Sequence, residues 1–125
     1  MLNDDIVRLA RENTFFRKEI TTGAHSQVVL MCIPRGEEIG EEIHGVDQTL
    51  VFVEGTGKAI INGEEGAVAP GHLVFVSAGA RHNFVNAGNS DLKLYTIYAP
   101  PEHKPGTVHR TKSEAEKEEH DNEKQ

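Results

Sequence analysis

The chain has 125 residues, enough for one compact domain and too few for two independent cores. Its formal net charge of -7 argues against a phosphate-tracking nucleic-acid binder. Six acidic residues and three lysines fall in the last fifteen positions, so the remainder carries only -4. No apolar run approaches the ~20 residues that cross a bilayer, and the first ten residues carry two aspartates where a leader would be basic and apolar. A cytoplasmic protein with no membrane partner is therefore expected.

In chain order, Asn3, Asp4 and Asp5 precede Ile6, Val7, Leu9 and Ala10, an N-cap followed by apolar positions at helical spacing. This predicts a short amphipathic helix in an N-terminal extension over residues 1–20, its apolar face in need of a partner. From Val28 the texture changes to short β-branched runs punctuated by glycine: 28–33, 48–53, 57–61, 73–76, 82–86 and 92–98. Asn62-Gly63 fits a tight hairpin, Pro70-Gly71 a turn, and residues 87–91 a polar loop. Gly55-Thr56-Gly57-Lys58 reads as a hairpin turn, not a phosphate cradle, because no helix follows. The last run ends at Pro100-Pro101, which removes ladder donors. An all-β sandwich or barrel over residues 21–101 follows. Beyond it, residues 102–125 form a loop and a charged tail, either a last helix capped by Ser113 with Glu116 or a disordered segment, since only Ala115 is apolar past residue 113. The single cysteine, Cys32, lies in an apolar run and reads as a small buried hydrophobe.

Glu42 and His44 share one face of an extended segment, and Gln48 opens the next strand near enough to join them. A second segment brings His82 from elsewhere in the barrel. These stretches resemble the two motifs of the cupin superfamily. The first is a glycine, five residues, His-x-His, three or four residues, Glu, six residues and a glycine; here Gly36, His44 and Gly55 keep the spacing, with Glu42 at the first histidine position and Gln48 at the glutamate position. The second is a glycine, five residues, Pro-x-Gly, two residues, His, three residues and Asn; Gly71, Gly79, His82 and Asn86 match, with Ser77 in place of proline, a change expected to loosen the turn before His82. The flanking stretches 15–17, 22–23, 95–101 and 106–109 are similar to small cupins often filed as mannose-6-phosphate-isomerase-like. The resemblance implies a double-stranded β-helix (a jelly-roll barrel), a homodimer, and one divalent transition metal ion held by Glu42, His44, Gln48 and His82.

Two imidazoles, a carboxylate and an amide oxygen suit iron, manganese, nickel, cobalt or zinc. One carboxylate leaves the site with an excess positive charge, which favours an anionic chelating small molecule. Asn86 reads as a turn cap. His25 and His72 have no partner at ligand spacing, and His120 lies in the tail. A loop over residues 102–109 folding across the barrel mouth could bring His103 or His109 to the site. Tyr95 and Tyr98 lie on opposite faces of the last strand, so at most one looks inward. Together with His109 they are the candidate catalytic residues, and Leu50, Phe52 and Phe84 are expected to line the pocket. Three functions remain open: a metal-dependent isomerase or lyase acting on a small hydroxy or keto compound such as a sugar acid, a non-haem iron dioxygenase, and a non-catalytic binder of a small ligand.

Overall fold

The computed structural model describes residues 1–123, with side chains through residue 119. Ten strands and two helices follow in the order α1 (Ile6–Glu12), β1 (Arg17–Thr22), β2 (Gln27–Ile33), β3 (Glu42–Ile43), β4 (Asp47–Glu54), β5 (Gly57–Ile61), β6 (Glu64–Val68), β7 (Leu73–Val76), β8 (Arg81–Val85), β9 (Leu92–Ala99), β10 (Val108–His109) and α2 (Lys112–Glu123). A six-stranded antiparallel sheet, β10-β1-β2-β9-β4-β7, faces a four-stranded sheet, β3-β8-β5-β6. This is the all-β double-stranded β-helix.

Alternation decides what lies between the sheets. Val29, Met31 and Ile33 of β2, Leu50 and Phe52 of β4, Phe84 of β8 and Leu92 and Leu94 of β9 interdigitate in one core. The opposite face of β2 and β9 needs cover, and α1 supplies it. Asp5 caps that helix by accepting from the Arg8 amide at 3.1 Å. Ala10, fully buried, packs with Leu30 and Val53, and Ile6, Leu9, Ile20 and Tyr95 close the contact. Thus α1 lies on a sheet face and leaves the edge strand β7 open.

Asn62 and Gly63 both take positive φ, 50° and 83°, and close the β5–β6 hairpin as their types demand. Residues 55–58 do not make a hairpin: they carry the chain from β4 in one sheet to β5 in the other. A side chain at Gly55 would stand 2.4 Å from the Asp91 carbonyl oxygen. Close backbone crossing at this corner is what requires glycine.

The sequence expectations missed β1, β6 and β10, while β3 falls on the segment expected to be extended. β1 begins inside the stretch expected to be the helical extension, and β6, Glu-Glu-Gly-Ala-Val, is exposed except at Val68 and carries no apolar alternation. The charged tail forms α2 over Lys112–Glu123, and Thr111, not Ser113, caps it by accepting from the Glu114 amide at 3.2 Å. Ala115 is buried and anchors the helix to the core. The side chain of His120 and residues 124–125 of the expected tail lie outside the described residues.

Candidate metal centre

Glu42 ends the approach to the barrel in β3 and stands opposite His82 of β8 in register. His44 follows β3 directly, fixed by its carbonyl, which accepts from the Gly79 amide at 2.8 Å. Donor atoms of Glu42, His44 and His82 all lie within 4.8 Å of one another, close enough to share one ion. The imidazole centroids are 5.2 Å apart.

Hydrogen bonding sets the tautomers. His82 Nδ1 lies 3.1 Å from the Ala80 carbonyl, which can only accept, so Nδ1 carries the proton and Nε2 keeps its lone pair. His44 Nδ1 lies 3.1 Å from a Glu102 carboxylate oxygen, while its Nε2 faces Glu42 at 3.6 Å. Both rings therefore present a basic Nε2 inward with the other nitrogen tied back, the arrangement that orients metal-binding histidines.

Gln48 opens β4 and is the register partner of Tyr98. It is buried, and its Nε2 donates to the Thr96 hydroxyl at 3.0 Å and the Tyr98 hydroxyl at 3.3 Å. With the amide nitrogen so engaged, Oε1 is buried without a hydrogen-bond partner. An orphaned carbonyl oxygen, two imidazole nitrogens and a carboxylate are donor types that a divalent cation satisfies. The residues present fit the metal.

The turn before His82 does not need the family's proline. Ala80 donates to the Ser77 carbonyl at 3.0 Å, Gly79 takes a φ of 85°, and Asp47 accepts from the Ala78 amide at 3.0 Å. Asn86 caps its loop, donating to the Ile33 and Ser90 carbonyls and accepting from Gly88, and does not enter the site.

The remaining candidates separate. Tyr98 lies inside, 6.0 Å from the His44 ring and edge-on to it, and burial pushes its hydroxyl pKa well above the ordinary value. Tyr95 faces outward under α1 and has no part in the site. His109 is buried on β10, held between Arg17 and Glu118 and not beside the metal donors. Leu50, Phe52 and Phe84 are fully buried in the core, with the Phe52 and Phe84 rings 5.8 Å apart and Phe84 6.1 Å from the His82 ring.

Three residues, Glu102, Gln27 and Arg17, escaped the sequence reading, which did offer His103 from the loop over residues 102–109. Glu102 reaches His44 from the loop after β9, and His103 lies edge-on to Tyr98 at 5.1 Å. Gln27 holds both: its Oε1 accepts from the Glu102 and His103 amides at 3.2 and 3.0 Å, and its Nε2 donates to the His103 carbonyl at 2.6 Å. Arg17, buried at the start of β1, is the third. Nothing in local spacing signals these residues, since each acts through a loop or strand distant in sequence.

Charge follows this geometry. Burial would raise the Glu42 carboxyl, but the hydrogen bond and charge of His44 outweigh it and hold the pKa below the ordinary range. Burial pulls His44 down, and the two carboxylates Glu42 and Glu102 more than restore it, so its pKa is raised. Burial, with the neighbouring His44, lowers His82. Burial and the Arg17 charge push His103 down to about 3, leaving it neutral at physiological pH. Cys32, buried and pushed up to about 11, is a thiol and not a nucleophile.

A cavity of about 710 Å³ lies against the small sheet, lined by Ile60, Arg81 and Asn83 and reached by His82. Two smaller cavities adjoin Arg17. One of about 160 Å³ includes Arg17, Glu42 and Glu119; the other, about 150 Å³, includes Arg17, Glu102, His103 and His109.

Residues 29–98, more than half of the chain, match the cupin domain family. The chain belongs to that family. It is 44% identical over 119 residues to the uncharacterized protein YrkC of Bacillus subtilis, covering 89% of this chain and 63% of YrkC, so it spans less than two thirds of that relative. The crystal structure of BH2720 from Bacillus halodurans is 41% identical and superposes with a TM-score of 0.91 over 93% of each chain. TT1209 from Thermus thermophilus is 28% identical, with a TM-score of 0.71 over 80% of this chain and 98% of that one. Among the described residues no helix is long and apolar enough to cross a membrane.

Proposed function

We propose that Glu42, His44, Gln48 and His82 hold one divalent transition metal ion and that the protein is an isomerase or lyase acting on a small hydroxy or keto compound such as a sugar acid. The observation that carries the reading is the buried Gln48 Oε1, left without a partner by an amide nitrogen already committed to Thr96 and Tyr98. A neutral fourth donor leaves a single carboxylate against two positive charges, which favours an oxygen-rich anionic ligand over a neutral one. Kinship with the mannose-6-phosphate-isomerase-like group belongs to the same proposal, and by itself implies no activity.

When bound, such an ion polarises a carbonyl or hydroxyl oxygen of the ligand. The chain supplies the rest. Tyr98, kept protonated by burial, donates a hydrogen bond. Glu119 of α2 lines the chamber, and burial together with the Glu42 charge raises its pKa, which makes it the better-placed carboxylate to accept a proton. Gln27 holds the 102–103 loop across the mouth, restricting water.

A second reading has its own support, because Glu42, His44 and His82 are two histidines and one carboxylate, the triad of non-haem iron dioxygenases. Anaerobic purification with metal analysis, followed by oxygen consumption and solvent deuterium incorporation on a panel of sugar acids and keto acids, separates them. Deuterium incorporation without oxygen uptake is expected. Oxygen uptake would transfer the site to the second reading, and silence in both assays with tight ligand binding would leave a non-catalytic binder.

A further inference from the structure

We infer that Arg17, with His103 beside it, forms a subsite for the carboxylate group of a small 2-hydroxy or 2-keto acid, next to the metal donors and beneath α2. The inference rests on the metal reading above and names the substrate class of the same site.

Arg17 is 3% exposed, yet among the described residues no carboxylate lies within the 4.0 Å of an ion pair. Its Nη1 donates to His109 Nδ1 at 3.2 Å. A guanidinium can only donate, so Nδ1 accepts and the His109 proton sits on Nε2, where it is given to Glu118. The negative charge of Glu118 thus reaches Arg17 only across a neutral ring. The Arg17 Nε is buried with no partner, and the Phe16 ring lies under the guanidinium, 5.3 Å away. A buried charge with no carboxylate in direct contact is costly, and a planar fork of N–H donors is the shape that receives a carboxylate through two parallel bonds.

His103 supplies a second orphan. Its Nε2 is buried and unpartnered, and burial keeps the ring neutral. Arg17 and His103 both line one cavity of about 150 Å³, room for roughly five waters at ~30 Å³ each, which suits an acid of a few heavy atoms. Arg17 also lines the adjoining cavity with Glu42, so the guanidinium stands between the outer chamber and the metal donors. A ligand anchored there by its carboxylate directs its 2-oxygen inward. Three acidic residues share the chamber and oppose an anion: Glu102, Glu118 and Glu119. Two of them are already engaged, Glu102 by His44 and Glu118 by His109, and Lys104 adds a positive charge at the rim.

The test is isothermal titration calorimetry of lactate, with 1,2-propanediol as the carboxylate-free counterpart, on zinc-loaded and metal-stripped protein. Wild type, Arg17→Met and Arg17→Lys are compared, with zinc content and melting temperature measured on each. Arg17→Met should weaken lactate about 10- to 100-fold, the loss expected for hydrogen bonds to a charged group, and leave zinc content and propanediol binding unchanged. Arg17→Lys keeps the charge without the fork and should recover part of the affinity, which holds the test open if the methionine variant does not fold. Equal lactate affinity in the folded variants and wild type, with or without zinc, overturns the subsite. Wild type that takes up no zinc but still binds lactate through Arg17 removes the metal reading and leaves the subsite standing.

Discussion

Glu42 and His82 face each other as register partners across β3 and β8, so a two-residue strand aligns two of the proposed metal donors directly. The remaining pair, His44 and Gln48, bracket the turn that carries the chain from β3 into the large sheet. Strand pairing, not local sequence, sets the distance between them.

The orientation of Gln48 depends on Thr96. Thr96→Val removes the acceptor and lets the amide rotate, so Oε1 is no longer held free. Divalent metal affinity should fall about 10- to 100-fold, the usual consequence of losing a group that orients a ligand. Titration against a competing chelator measures it, and an unchanged affinity would mean that Gln48 does not bind the ion.

Glu102 gives a pH signature. His44 has a raised folded pKa, so in the metal-free protein its pairing contributes stability that is full below the unfolded value of 6.5 and is lost as pH rises through the folded value. Glu102→Gln removes part of that contribution. The melting-temperature gap between wild type and variant should be widest near pH 6 and close toward pH 9. Metal binding runs in the opposite sense, because the ion displaces the His44 proton, and its affinity should rise with pH over the same range. A gap that is constant with pH would mean that Glu102 does not act through His44.

Much of this fold could be read from the sequence, and the reasons are local. Six β-branched runs, the Asn62-Gly63 turn and the Asp5 cap report conformational preferences that tertiary contacts reinforce. Glu42, His44 and His82 could be proposed because they sit in two spaced motifs. What stayed hidden acts across long separations. Arg17 reads as an ordinary basic residue beside Lys18 until β1 pairs with β10 and buries it. Glu102 looks like a solvated loop residue until Gln27 pins it against His44. Likewise α2 lacks an apolar face, and its placement depends on Ala115 reaching the core and on Glu118 meeting His109.

Gly55 stabilises the corner where the first motif ends. At a φ of 84°, and with a Cβ position 2.4 Å from the Asp91 oxygen, Gly55→Ala must both strain the backbone and push a carbonyl aside. A loss of about 2 kcal/mol or more in urea unfolding is expected. A neutral effect would show that the corner between the sheets yields easily.

The homodimer expected from the family resemblance is testable at β7. This edge strand is unpaired on one side, and Leu73 and Phe75 are 61% and 53% exposed on its outer face. Light scattering should give twice the chain mass, and Leu73→Ser with Phe75→Ser should release monomers. A wild-type monomer, or a dimer indifferent to both changes, would rule out this contact.

Anomalous diffraction from crystals grown with one equivalent of zinc tests the central claim most directly. One peak is expected about 2.0–2.2 Å from His44 Nε2, His82 Nε2 and a Glu42 oxygen, with Gln48 Oε1 completing the protein ligands. Absence of a peak there, or an ion bound elsewhere with both imidazoles unligated, would contradict it.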